Sequence, residues 1–133
     1  MSKSTATRAR PLSPHLQIYR LIPTMLMSIM HRITGGALYF GMLLIAWWLI
    51  AAATSEDWFA DAQWLLGSWV GLLVLVGFSW ALFFHLLGGL RHFLWDTGYA
   101  MEKQTATNLA KATMAGSIIL TVLLWAIIFF TAG

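Results

Sequence analysis

WLLGSWVGLLVLVGFSWALFFHLLGGL, residues 64–90, runs for 27 residues without an Asp, Glu, Lys or Arg. A transmembrane helix needs about 20 predominantly apolar residues, so this stretch is long enough to cross a bilayer. Two further stretches, 33–55 and 112–133, carry no such charge either. The breaks between the three are short and polar: SEDWFAD at 55–61 and RHFLWDTGYAMEKQTATNLAK at 91–111. Composition points the same way. Hydrophobic residues make up 59% of the 133 and charged residues 10%, where a soluble domain carries about 25% charged.

In lipid every backbone amide must be satisfied within the segment, and a helix does this on its own. The expected fold is therefore an all-α integral membrane protein, with three transmembrane helices in an up-down bundle. The spans are expected at approximately 28–54, 63–93 and 108–132, within a domain covering 24–133. An interfacial arm, 1–23, precedes them. Its end, PLSPHLQIYRLIP at 11–23, holds all three prolines and cannot form one regular helix. Thr24, just after Pro23, is the expected N-cap of the first span.

The charges orient the bundle. Lys3, Arg8, Arg10, Arg20 and Arg32 precede the first span, and Arg91, Lys103 and Lys111 fall between the second and third. The intervening loop has only the acids Glu56, Asp57 and Asp61. Positive charge stays on the cytoplasmic side, which places the N-terminus inside and the C-terminus outside. Trp58 and Trp64 mark the outer boundary, Trp95 and Tyr99 the inner one. The expected location is a bacterial inner membrane, with a cytoplasmic N-terminus and a periplasmic C-terminus, in preference to the mitochondrial inner membrane. No cleavable signal peptide is expected, because no small-residue cleavage site follows the first apolar segment. The net charge of +3 follows from this asymmetry and gives no reason to invoke nucleic acid. Cysteine is absent, which excludes disulfides and iron–sulfur ligation by this chain.

Function has to come from the few polar residues in apolar surroundings. His85 is the first of them, since an ionisable side chain inside a membrane span is a functional-site candidate by default. It shares a helix face with Gly89 and His92, at spacings of 4 and 3. One reading is a flat macrocycle against the helix, with the imidazole on its iron. The other is a histidine hydrogen-bonded across a small-residue helix contact. His85 and His92 are about 10.5 Å apart along the axis, too far to ligate two faces of one iron. His15 lies on the arm, and His31 is expected nearer the interface than His85. A second axial ligand would then come from another subunit.

In the first span Ser28, His31 and Arg32 share a face. Arg32 suits either a polar pocket or a snorkelling contact with headgroups. The basic cluster His31, Arg32, Arg91 and His92 would suit two anionic propionates. A small transporter would place a charge near the midplane and often show internal repeats; neither is present. A haem-free structural anchor fits the composition as well as a cytochrome does.

Three segments together carry a family resemblance: RPLSPHLQIYR at 10–20, SIMHRITG at 28–35 and HLLGGLRHFLWDTGY at 85–99. Over almost its whole length the chain resembles the cytochrome b556 subunits of succinate dehydrogenase, respiratory complex II. The resemblance implies that His85 is an axial ligand of haem b, with the opposite ligand on a second, smaller membrane-anchor subunit. It implies that Ser28 and Arg32 line a ubiquinone pocket at the junction with an iron–sulfur subunit, and that His31 and His92 lie near the haem propionates. Succinate would be oxidised in a flavoprotein subunit, and this chain alone would not oxidise it. Gly88, where related sequences often carry a larger apolar residue, is expected to loosen packing near the haem. A fumarate reductase anchor is the nearer rival within the superfamily.

Overall fold

A computed structural model of the chain describes residues 20–132. Four helices follow one another: α1 (Pro23–Thr54), α2 (Glu56–Gly67), α3 (Trp69–Asp96) and α4 (Lys103–Ala132). Three of them, α1, α3 and α4, are long and apolar enough to cross a membrane. The all-α membrane architecture expected from the charge-free runs is what the chain adopts.

Two boundaries differ from expectation. The first helix starts one residue before Thr24: Ile22 occupies the N-cap without a side-chain hydrogen bond, and Pro23 stands in the first turn. Proline is suited there, because its missing N–H is one that the helix would leave unpaired. The run 64–90 is also not one helix. Ser68 divides it, so the second span begins at Trp69 and not at 63.

The polar break between the first two spans folds into α2. The Ser55 hydroxyl accepts from the Trp58 amide at 3.1 Å, and Glu56 and Asp57 sit in the first turn, where the helix dipole favours acids. At the other end the Ser68 hydroxyl accepts from the Gly71 amide at 3.1 Å and starts α3. A side chain at Gly71 would overlap the Leu65 and Leu66 carbonyls, so the tight corner between α2 and α3 needs glycine there.

α3 is the central helix, packed against α1 on one side and α4 on the other. Large apolar side chains such as Phe40, Leu73, Phe93 and Phe130 point outward. The interior is built from small and hydroxylated residues instead. Ala81, Ala110, Thr34, Thr113, Ser117 and Thr121 are all buried, around an apolar knot of Met27 and Phe84. Lipid is as apolar as leucine, so helices in a membrane associate through close packing, which small residues permit. The three α4 hydroxyls bond their own helix: Thr113 to the Leu109 carbonyl, Ser117 to that of Met114 and Thr121 to that of Ser117, at 2.8–2.9 Å. Burying them therefore leaves no orphaned donor.

Candidate functional site

The polar side chains singled out in the sequence meet where α1 crosses α3. The crossing is antiparallel and close because aromatic and imidazole rings of each helix sit on glycines of the other. A Cβ at Gly88 would stand 2.6 Å from His31 Nδ1, and one at Gly35 would stand 3.0 Å from His85 Cε1. A Cβ at Gly41 would overlap the Phe78 ring. The glycine that serves His31 is thus Gly88; Gly89 faces open space. Gly88 does not loosen this region. It supplies the room that lets an imidazole lie against the α3 backbone.

His31 and His85 consequently stack, with ring centroids 3.9 Å apart and planes inclined by 8°. They stand at the same level, which corrects the expectation that His31 would lie nearer the interface. α1 begins at Pro23, well before the first charge-free run, and carries His31 further along the bundle than Arg32's charge implied. His92 completes the group, its ring 5.4 Å from that of His31 and tilted by 56°.

His85 Nδ1 lies 3.1 Å from the His31 carbonyl oxygen. A carbonyl can only accept, so this contact puts the proton on Nδ1. Nε2 is left with its lone pair. Thr34 flanks the contact: its hydroxyl donates to the Met30 carbonyl at 2.9 Å or the His31 carbonyl at 3.0 Å, and its oxygen lies 3.4 Å from His85 Nδ1. Thr34 and Gly35 are parts of the site that spacing arguments did not assign. Thr34 and Gly35 sit inside the SIMHRITG segment, the one sequence cue that pointed at them.

Not every candidate joins this group. Ser28 and Arg32 are exposed on a face of α1 that no other described element covers. Arg91, expected in a basic cluster with His31, Arg32 and His92, is 5% exposed and lines a groove against α4 with Leu109 and Thr113. Six residues carry it about 240° around the helix from His85, and its guanidinium carbon lies 5.0 Å from the centre of the Trp95 ring. His31 and His92 pack at His85, Arg91 stands one turn along α3 from the Gly88 on which His31 rests, and Arg32 stays on the exposed face of α1. His15, Lys3, Arg8 and Arg10 lie outside the described residues.

Among the described residues no group of three His, Cys, Asp or Glu side chains could hold a metal ion. A single imidazole with a fixed Nδ1 proton suits a metal that brings its other ligands with it. A hydrogen bond from Nδ1 to a backbone carbonyl is also the support that metal-bound histidines commonly have.

The family model of the succinate dehydrogenase/fumarate reductase transmembrane subunit matches residues 6–124. The chain belongs to this family. A succinate dehydrogenase cytochrome b556 subunit of Paracoccus denitrificans is 54% identical over 114 residues, covering 86% of this chain and 88% of the relative. One from Rickettsia felis is 37% identical over 124 residues, covering 93% and 97%. A succinate dehydrogenase cytochrome b560 subunit of Reclinomonas americana is 35% identical over 123 residues, covering 89% and 85%. As a transmembrane subunit of this family with three spanning helices, the chain is a multi-pass membrane protein.

Proposed function

We propose that this chain is the haem b-binding membrane anchor of a succinate:ubiquinone oxidoreductase and forms part of its quinone-reduction site. One observation carries the reading. His85 offers a free Nε2 lone pair because its Nδ1 proton is committed to the His31 carbonyl. The cytochrome b names of the relatives agree with it.

In this reading the His85 imidazole would hold the haem iron through Nε2. The bond to the His31 carbonyl holds the ring in one tautomer and raises its basicity as a donor. His31 stacks against that ring face to face and cannot reach the opposite side of the same iron. A second membrane-anchor subunit supplies the other ligand. His31, Arg32 and His92 provide the positive and hydrogen-bonding groups for the two propionates. When bound, haem b supplies a one-electron store beside the quinone pocket.

Ser28 and Arg32 serve ubiquinone. Both are exposed on α1, available to a pocket completed by the iron–sulfur subunit. Ser28 donates a hydrogen bond to a quinone carbonyl oxygen, and Arg32 stabilises the negative charge that develops there on reduction. The arm, with Arg8, Arg10 and Arg20, docks the iron–sulfur and flavoprotein subunits. All of this belongs at the cytoplasmic face of a bacterial inner membrane. Arg32, Arg91, Lys103 and Lys111 gather towards one end of the bundle, and Glu56, Asp57 and Asp61 lie at the other.

The reduced-minus-oxidised spectrum of the purified complex tests the reading. The wild type is expected to show a b-type band and His85→Ala to lose it. An unchanged band in the variant removes His85 as the ligand, and no band in the wild type leaves a haem-free anchor. Comparing the rates of succinate oxidation and fumarate reduction distinguishes the two enzyme types that the family name covers.

A further inference from the structure

Arg91 stands one turn along α3 from the Gly88 on which His31 rests, yet the reading above gives it no ligand, and it is the most buried charged group among the described residues. Its Nε and Nη1 have no hydrogen-bond partner there. The segments outside the described residues, 1–19 and 133, contain no Asp or Glu. A guanidinium cannot shed its proton at any accessible pH, and a buried charge without a partner costs several kcal/mol. An anion must meet it.

The surroundings indicate which anion. Arg91 lines a cavity of about 250 Å³ between α3 and α4, whose other walls are Leu87, Leu90, Leu94, Leu109, Ala112 and Thr113. Leu90 is 54% exposed and Leu94 38% exposed, so these walls run out to the surface of the chain. Arg91 stands five residues from the end of α3 at Asp96, about 7.5 Å of rise. Leu109 stands six residues into α4, about 9 Å. The cavity therefore lies within two turns of the helix ends, at the depth where a headgroup meets its acyl chains. Lys111, exposed in the same turn of α4 as Ala112 and Thr113, adds positive charge near its mouth. A small anion alone gains nothing from leucine walls.

We propose that Arg91 binds the phosphate of a bilayer phospholipid, whose acyl chain lies in the groove between α3 and α4. The planar fork of arginine matches phosphate oxygens. The lipid acts as a wedge that neutralises the charge and ties α4 to α3.

The test uses the whole complex, purified in mild detergent and washed to remove loose lipid. Native mass spectrometry is expected to find a phospholipid retained on the wild type. In Arg91→Gln retention falls about 10- to 100-fold, as the loss of charge-assisted hydrogen bonds implies, and the haem spectrum stays as in the wild type. Ala112→Phe, which fills the groove and leaves the charge, loses the lipid as well and covers the case in which Arg91→Gln does not assemble. Adding phosphatidylglycerol nanodiscs to the washed wild type raises its thermal midpoint, whereas inorganic phosphate does not. Full lipid retention in both variants overturns the proposal. So does a loss of the haem band with lipid unchanged, which makes a propionate the anion. A thermal shift from inorganic phosphate equal to that from lipid overturns it too, in favour of a free anion.

Discussion

The two halves of the α1–α3 crossing are built on opposite plans. Towards the basic end, His31 sits on Gly88 and His85 on Gly35, and the backbones come close enough for a carbonyl of one helix to accept from an imidazole of the other. Beyond Phe78 and Gly41 the same helices part around an apolar cavity of about 600 Å³, bounded by Leu44, Leu72 and Trp125 and closed by α2 through Gln63 and Leu66. The polar links there are few: Trp48 Nε1 donates to Gln63 Oε1 at 3.1 Å and Trp125 Nε1 to Ser79 Oγ at 3.4 Å. An imidazole in an apolar medium has to find a partner, and in a helix bundle the nearest one is often a neighbouring backbone. That requirement tolerates no gap. Leucine against leucine or lipid makes no such demand, so the outer half can stay loose.

The strongest way to break this contrast is to force the tight half apart. Gly88→Leu drives a side chain into the His31 ring, and the complex is expected to lose its b-type band together with most of its thermal stability. A wild-type spectrum and melting curve would show that the close crossing is dispensable. Arg32→Ala leaves the crossing intact and removes a charge beside it. Quinone reduction should fall by about 10²-fold, on the scale of losing one preorganised donor, while succinate oxidation with a soluble dye survives. Equal loss of both activities would point to failed assembly.

Gly41→Ala probes the seam between the halves. Overpacking against Phe78 should cost about 1–3 kcal/mol, read from the thermal midpoint of the complex. Phe78→Leu should relieve much of that cost in the double variant, since the two sites touch. The smallest effect belongs to the loose half. Leu72→Phe grows into the large cavity and should change stability by less than about 1 kcal/mol, with spectrum and quinone reduction unaffected. A large loss from this change would mean that the outer half is as closely fitted as the inner one.

The spans were legible because absence of charge over 20 or more residues is a property of each segment alone. α2 was less so. Its residues 56–67 mix three acids with two tryptophans and two leucines, and the cue for a helix was only Ser55 followed by acids. The break at Ser68 was hidden inside an uncharged run, because hydropathy does not register a cap. His85 stood out as a costly group. Its partner did not, since Gly89 and His92 share its helix face whereas His31 and Gly35 lie some fifty residues away. The burial of Arg91 was hidden for a related reason: being close to His92 in the chain says nothing about how α4 packs over its side chain.

What residue order alone settled was therefore everything that depends on one helix at a time: which segments leave water, which loops carry the positive charge, which side chains are expensive where they stand. Register between helices came only with the fold. It depends on how the bumps of α1 fit the hollows of α3, and a shift of one turn would move each ring off its glycine. That fit pairs His31 with His85 and sets His85 Nδ1 against the His31 carbonyl.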